Sequence, residues 1–168
     1  MRQFAVGASV ILLATGLAAQ AVVNYQKPAP AILKVMDAPR PPRVMVSPTR
    51  DYLLLVDAVP NPSIADLAEP MLRIAGLRID PASNGLHATP RVRDLRLERI
   101  RDGAVTPVAA PAVLTHMTAP EWSPDGAHFA FTNVTRHGIE LWMGDTATGR
   151  VHQVSGLRLD PVTGAAFQ

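Results

Sequence analysis

Short apolar segments separated by turn residues recur along the chain. In its second half they predict four strands, which end at Trp122 or cover His128 to Thr132, Ile139 to Met143 and Arg150 to Val154. Ser123-Pro124-Asp125-Gly126 follows the first of these, with Ser, Pro and Gly at the first, second and fourth positions of a type I turn. Because the apolar positions alternate only in part, we expect a sheet that is covered on both faces.

The same pattern occurs twice. Val46 to Leu55 resembles Trp122 to Phe131 at an offset of 76 residues, and Leu95 to Val108 resembles Leu141 to Val154 at an offset of 46 residues. The offsets differ by 30 (76 − 46), so the first unit carries an insertion, which must lie within residues 57–93. A unit of about 46 residues with four short strands has the size of one β-propeller blade. A Greek-key sandwich also has short strands, but it does not explain this period.

The sequence therefore predicts an all-β chain that holds the first two blades of an incomplete N-terminal β-propeller, preceded by a helical signal peptide. The predicted divisions are a signal peptide at 1–21, a Pro-rich lead-in at 22–43, a first blade at 44–108 with an insertion at about 57–93, a second blade at 109–155, and the start of a truncated third blade at 156–168.

Shorter elements are predicted inside the lead-in and the insertion. A helix is expected at Ala31 to Met36, and a second from a Ser63 cap to Glu69, with Asp66 placed to reach back to the cap. The rest of the insertion reads as a strand at Met71 to Ile79, a turn at Asp80 to Gly85 and a loop at His87 to Pro90.

The first residues have the pattern of an export signal. Arg2 is followed by an apolar or small run from Phe4 to Leu17, and Ala19-Gln20-Ala21 predicts cleavage before Val22. We expect an exported protein, periplasmic or secreted, whose contact with the membrane is limited to this signal. An uncleaved N-terminal membrane anchor and a buried core helix stay open as alternatives, because the uncharged stretch after Arg2 approaches the length that spans a bilayer.

Composition excludes several kinds of site. The chain has no Cys, which excludes disulfides, thiolate metal sites, a Cys nucleophile and a lipoprotein anchor. Its 16 Pro and 11 Gly are too many for a helical bundle and suit a turn-rich β protein. The net charge of +2 does not favour a nucleic-acid partner.

No histidine or acidic group has the spacing of a metal site. His128 and His137 flank a predicted hairpin and could approach each other, but His residues in strands or loops explain the set better; the five are His87, His116, His128, His137 and His152. Asp145 to Gly149 lacks the alternating oxygens of a calcium loop and is expected to be a hairpin turn. We predict no metal, no cofactor and no catalytic residue in this chain.

Arginines and tryptophans are the remaining candidates for a binding surface. Interleaved acids favour a solvated strand face over an anion-attracting rim for the five Arg between residues 91 and 101, which are Arg91, Arg93, Arg96, Arg99 and Arg101. Trp122 and Trp142 are expected in the core between blades rather than in ligand platforms. Asn133-Val134-Thr135 is a glycosylation triplet, meaningful only in a eukaryotic secretory pathway.

Several segments together resemble one known family. They resemble the N-terminal part of secreted peptidases of the prolyl oligopeptidase family, in the subgroup related to glutamyl endopeptidase and dipeptidyl or acylaminoacyl peptidases. The segments are Tyr25 through Gly85, with Ala31-Ile32-Leu33, Asp37 to Pro42, Ser47-Pro48, Leu67 to Pro70 and Ala75 to Ile79 as its more specific parts, then Glu121 to Gly126 and Ile139 to Trp142.

The resemblance implies an N-terminal propeller that filters peptide substrates for a C-terminal α/β-hydrolase domain with a Ser-Asp-His triad. The six Ser of this chain lack the Gly-x-Ser-x-Gly pattern of such a nucleophile. They are Ser9, Ser47, Ser63, Ser83, Ser123 and Ser155. We therefore expect the propeller fragment of an exported serine peptidase, inactive by itself, with the hydrolase domain missing.

Two other interpretations remain open. The first is a periplasmic binding propeller with no enzyme attached. The second is a complete protein of 168 residues, which is physically unattractive because two blades leave two apolar faces open.

Overall fold

The computed structural model describes residues 26–160, and most of the ordered elements in this range are antiparallel strands. The predicted signal peptide and its cleavage site lie outside the described residues. No helix within residues 26–160 is long and apolar enough to cross a membrane. The elements are α1 Pro30–Met36, β1 Arg43–Val46, β2 Tyr52–Ala58, α2 Ile64–Leu67, β3 Leu72–Ile74, β4 Leu77–Ile79, β5 Val92–Arg99, β6 Val105–Pro107, β7 Glu121–Trp122, β8 His128–Thr135, β9 Gly138–Asp145 and β10 Val151–Leu159.

The helix α1 belongs to a unit that ends at Ala38, separate from the unit that begins at Pro39. Pro30 at its start has no N–H to leave unpaired and a φ angle suited to a helix. At its end, the Asp37 N–H donates to the Leu33 carbonyl. The helix predicted in the Pro-rich lead-in is thus confirmed.

Two four-stranded antiparallel sheets form the unit that begins at Pro39. Sheet 1 has the order β1-β2-β5-β6, and sheet 2 has the order β7-β8-β9-β10. In each sheet every strand pairs with the next predicted strand, so the four strands expected in each repeat are present. The strand β10 runs on to Leu159, and residues 156–159 therefore extend sheet 2.

The core lies between one face of sheet 1 and one face of sheet 2. Phe129 and Phe131 are fully buried, and their rings stack with centroids 6.3 Å apart. Trp122 meets Phe129 edge to face at 6.0 Å and donates from Nε1 to the Met45 carbonyl of sheet 1 at 3.4 Å. The buried cluster comprises Leu54, Val56, Val92, Leu95, Leu97, Val108, Met117, Phe129, Phe131 and Trp142.

The two sheets pack face to back with respect to the repeat. Leu54 pairs with Leu97 in sheet 1, and the equivalent pair in sheet 2 is Ala130 with Met143. The first pair is buried in the core, whereas the second lies on the outer, half-buried face of sheet 2. Conversely, Phe129 in the core is equivalent to Leu53 on the outer face of sheet 1. The contact between the sheets therefore joins two different surfaces of the repeat.

Equivalent turns begin the second strand of each sheet. The Ser47 hydroxyl accepts from the amides of Asp51 and Tyr52, and the Ser123 hydroxyl accepts from the amide of His128. Gly126 takes a φ of 68° in the second turn, where the first turn holds Arg50 at 61°. A serine hydroxyl that satisfies the turn amides thus explains why both repeats carry Ser-Pro here.

The insertion contains a hairpin where a single strand was predicted. The prediction of one strand from Met71 to Ile79 is wrong, because Ala75 and Gly76 both have positive φ, at 49° and 85°, and reverse the chain between β3 and β4. Two such residues make a type I′ turn, which matches the twist of the paired strands. The predicted cap of α2 is confirmed, since Ser63 and Asp66 form a reciprocal capping box. The helix itself ends at Leu67, before the predicted Glu69.

The segment around Met117 connects the two sheets. Its carbonyl accepts from the Val92 amide of sheet 1, while Thr118 N–H donates to the Thr132 carbonyl of sheet 2. A second link runs from the Ala109 amide to the Gly149 carbonyl at 2.9 Å. Backbone hydrogen bonds therefore supplement the apolar core in holding sheets 1 and 2 together.

Candidate functional site

The insertion forms a polar cavity of about 440 Å³ with the neighbouring ends of the two sheets. A second cavity of about 560 Å³ adjoins it. Both are lined by Glu69, Asp80, Arg91, His116 and Val134. Concave surfaces with a few convergent polar groups are the usual places for ligands to bind. We define this pair of cavities as the insertion pocket.

An ion pair between Asp66 and Arg91 crosses the first cavity. It ties the start of α2 to the residue that precedes β5, 25 positions later in the chain. Hydrogen bonds from the side chain and then the backbone of Ser63, with Arg91 as a further cause, lower the pKa of Asp66. Asp66 therefore stays ionised at neutral pH and holds Arg91 in the wall of the pocket.

Two histidines also line the first cavity. His87 Nε2 lies 3.2 Å from the Glu69 carbonyl, and His116 Nε2 lies 3.1 Å from the Thr89 carbonyl. Burial lowers the pKa of His116, which favours its neutral form. A neutral ring whose Nε2 carries the proton donates to Thr89, so His116 fastens the loop after the β3-β4 hairpin to the segment that links the sheets.

Acidic groups outnumber basic groups in the first cavity, where Asp66, Glu69 and Asp80 face Arg91. Burial raises the pKa of Asp80, but hydrogen bonds from the Ser83 hydroxyl and the amides of Ala82 and Ser83 outweigh it, and the net shift is downward. The second cavity adds Arg136. The pocket can thus offer carboxylates to a cation and guanidinium groups to a carboxylate.

The serine hydroxyls described here serve turns and a helix cap. Ser123 Oγ donates to Asp125 Oδ1 at 2.6 Å, and Ser83 Oγ donates to Asp80 Oδ2 at 2.7 Å. Ser63 caps α2, and Ser47 accepts from turn amides. Within residues 26–160, no three His, Asp or Glu side chains are placed to hold a metal ion.

The hypothesis that His128 and His137 could approach each other is wrong. His128 begins β8, whereas His137 lies in the turn that follows its last residue, Thr135. A strand rises about 3.3 Å per residue, so the two rings lie at opposite ends of a strand roughly 23 Å long. The prediction for Asp145 to Gly149 is confirmed, since its Oδ1 accepts from the Thr148 amide and hydroxyl to close a hairpin turn.

The arginines between residues 91 and 101 do not act as one face. Arg93 and Arg101 are exposed, whereas Arg96 and Arg99 are half-buried and pair with Asp94 and Asp102. Arg91 faces the insertion pocket instead. Interleaved acids therefore neutralise most of this cluster, as the sequence indicated, while Arg91 is the member that sequence reasoning missed.

Both tryptophans are core residues, as predicted. Trp142 is buried and donates from Nε1 to Glu140 Oε2 at 3.0 Å. The same carboxylate oxygen accepts from Nδ2 of Asn133, which is 0% exposed. Because this amide is buried and hydrogen-bonded, Asn133 cannot serve as a glycan acceptor in the folded protein.

Sequence reasoning also missed the convergence of Asp66, His87, Arg91 and His116. The capping box placed Asp66 on a helix, but nothing in the local pattern pairs it with Arg91. The one available signal was the length of the insertion, because long loops in compact domains are often functional.

The chain is similar in sequence to two plant proteins, each named "Probable glutamyl endopeptidase, chloroplastic". The protein of Arabidopsis thaliana is 31% identical over 138 residues, which cover 75% of this chain and 14% of that protein. The protein of Oryza sativa subsp. japonica is 27% identical over 142 residues, which cover 77% of this chain and 15% of that protein. The chain thus spans about one seventh of the curated relatives it matches. No protein-family model matches the chain.

Among solved structures, the chain is similar to a Bacteroides ovatus protein described as a "putative dipeptidyl aminopeptidase IV". The TM-score is 0.42 at 13% identity, over 72% of this chain and 18% of that one. The similarity to the two plant proteins supports a relationship of this chain to the peptidase family that contains glutamyl endopeptidases.

Proposed function

We propose that this chain is the N-terminal propeller region of an exported serine peptidase. Sheets 1 and 2 are its first two blades, and they filter peptide substrates for an α/β-hydrolase domain that lies outside the chain. The observation that carries this proposal is the 31% identity over 138 residues to a protein named as a glutamyl endopeptidase.

The packing of the sheets supports the propeller part of this proposal. Since equivalent faces of the two repeats are not used in the same way, each sheet can pass the same contact to a next sheet. A repeat array with this property grows by adding units. The outer faces of sheets 1 and 2 are the two ends of such an array.

The insertion pocket is the part that we assign to substrate filtering. Its carboxylates and guanidinium groups lie at one end of the sheets, on the segment that the second repeat lacks. Loops carried on a rigid β scaffold are common sites of recognition. Asp66 and Arg91 stabilise the shape of this segment rather than take part in bond cleavage.

Labelling with a fluorophosphonate probe tests the proposal. The 168-residue chain should not label, because its described serine hydroxyls bind turn and cap groups. The product of the same coding sequence extended downstream should label at one Ser within a Gly-x-Ser-x-Gly motif and hydrolyse short peptides. Its Ser→Ala variant is the control. An extended product with more blades and no labelling would instead favour the binding propeller.

The filtering role is tested separately in the extended protein with Arg91→Gln. Loss of the ion pair with Asp66 should change kcat/KM for long peptides and leave an aminoacyl amide nearly unaffected, because only the long substrate meets the propeller. Arg93→Gln is the matched control, since Arg93 is exposed and lies outside the insertion pocket. Equal effects of Arg91→Gln on both substrates would contradict filtering by this pocket.

A further inference from the structure

The outer face of sheet 1 is an unpartnered apolar surface. Val44, Val46 and Val105 are 52%, 54% and 51% exposed. The register places them beside Leu53 and Leu55 on one face, because directly paired residues point to the same side of a sheet. Soluble proteins seldom leave such a contiguous patch open without a partner.

The outer face of sheet 2 is a second apolar surface of a different shape. It is formed by half-buried side chains on the three strands that follow β7, which are Ala130, Leu141, Met143 and Val154. These occupy the positions that Leu54, Leu95, Leu97 and Val108 hold in the core face of sheet 1. The outer face of sheet 2 therefore matches the surface on which sheet 2 already packs.

The two outer faces are thus the two halves of an interface that the molecule already contains. Leu53 and Leu55 stand where Phe129 and Phe131 stand in sheet 2. A second copy whose sheet 1 took the place of a next sheet would repeat the internal contact. We propose that the outer face of sheet 1 binds the outer face of sheet 2 of a second copy of this chain, in head-to-tail order.

Charge complementarity at the rim supports this pairing. In the internal contact, a β-carbon on Gly126 would lie 3.2 Å from the Thr49 side chain, so these two turns touch. The repeat replaces Gly126 by Arg50 and Thr49 by Asp125 in the head-to-tail contact. Arg50 and Asp125 are both exposed. Opposite charges therefore meet at a position where the internal contact has none.

A heterologous contact of this kind does not close on itself in a pair, so association is open-ended and rises with concentration. Sedimentation velocity of the full chain should show dimers and larger species up to about 0.1 mM, the range of weak specific interfaces. A chain that remains monomeric throughout this range would overturn the proposal.

Two single-face variants give a sharper test. Val46→Glu blocks the face of sheet 1, since Val46 takes the position of Trp122, which reaches the Met45 carbonyl, and Glu121 occupies the position of Met45. Met143→Lys blocks the face of sheet 2 by placing an ammonium group among apolar side chains. Each variant alone should be monomeric, because it keeps only one kind of face.

Mixing the two variants should produce a 1:1 dimer that does not grow further, since the free face of each fits the free face of the other. Val113→Glu is the matched control, because Val113 is 56% exposed on a loop outside both faces. It should associate like the unaltered chain. A mixture that stays monomeric, or single variants that still associate, would overturn the head-to-tail arrangement.

Arg50→Gly supplies an independent measurement. It removes the rim charge and should weaken association by roughly 2- to 5-fold, the range of an exposed ion pair. Asp125→Asn should weaken it similarly while its Oδ1 still accepts the turn hydrogen bonds. No change with either variant would exclude the Arg50–Asp125 contact.

Discussion

The ring of Phe129 lies against Gly144, its partner in the antiparallel pairing of β8 and β9, so closely that a β-carbon on Gly144 would overlap the ring atoms. Phe129 is fully buried and is held by Trp122 on one side and Phe131 on the other. The absent side chain at residue 144 is therefore what lets the largest core side chain of sheet 2 lie flat.

We expect Gly144→Ala to destabilise the fold by about 2–3 kcal/mol, because overpacking in a dense core forces the ring or the backbone to move. Thermal unfolding followed by circular dichroism measures this change. The control is Gly103→Ala, since a β-carbon there meets nothing within 4 Å. Its positive φ alone should cost about 1 kcal/mol. Equal losses for both variants would contradict the packing argument.

The two equivalent turns predict opposite effects of glycine and alanine. Arg50→Gly should raise the stability slightly, by about 0.5 kcal/mol, because it relieves a positive φ while making the unfolded chain more flexible. Gly126→Ala should lower it by about 1–2 kcal/mol, since it adds the same backbone strain and approaches Thr49. The melting temperatures of both variants decide this, and a lower value for Arg50→Gly would contradict it.

Acid should destabilise the protein through its turn carboxylates. Hydrogen bonds from the Thr148 hydroxyl and amide lower the pKa of Asp145, and the Ser123 hydroxyl likewise lowers the pKa of Asp125. A group with a lowered folded pKa binds protons more readily in the unfolded chain. Stability is therefore complete above about pH 4 and falls as the pH drops through the lower folded pKa values.

Melting temperatures between about pH 6 and pH 2 test this with two variants. Thr148→Val removes the main cause of the Asp145 shift, so its acid loss should begin at higher pH. Asp145→Asn removes the titrating group, so its curve should be shallower below about pH 4. Identical curves for both variants and the unaltered chain would show that this turn does not control acid stability.

His116 predicts a second, milder pH effect. Because burial lowers its folded pKa, the unfolded chain takes up a proton first as the pH falls through about 6.5. Stability should decline from there down to the folded pKa, and His116→Gln should remove that part of the slope. Titration of the His116 ring proton by NMR checks the cause directly. A midpoint at or above the unfolded value would contradict the prediction.

Export remains a prediction from the first residues alone. Ala19-Gln20-Ala21 should be cleaved to leave Val22 as the first residue. Intact-mass measurement of the exported protein tests this, and Ala21→Arg should block cleavage because the site requires a small residue. A product that retains Met1 and sediments with the membrane would favour the uncleaved anchor.

The strands, turns and caps could be predicted because each depends on a few neighbouring residues. Ser123-Pro124-Asp125-Gly126 contains its own turn geometry, and Ser63 with Asp66 contains its own cap. The repeat was visible because equivalent strands keep equivalent apolar positions. The β3-β4 hairpin was missed for a local reason too, since Ala75-Gly76 is a weaker signal for a type I′ turn than Asn-Gly.

The sequence by itself determined the repeated four-strand units, the insertion between their halves and the lack of a serine nucleophile motif. Only the tertiary structure decided that Asp66, His87, Arg91 and His116 meet in one pocket, and which face of each sheet is buried. Such contacts join residues up to 50 positions apart (116 − 66). They arise from how sheets stack and loops close, which apolar patterning permits in more than one way and packing against specific neighbours resolves.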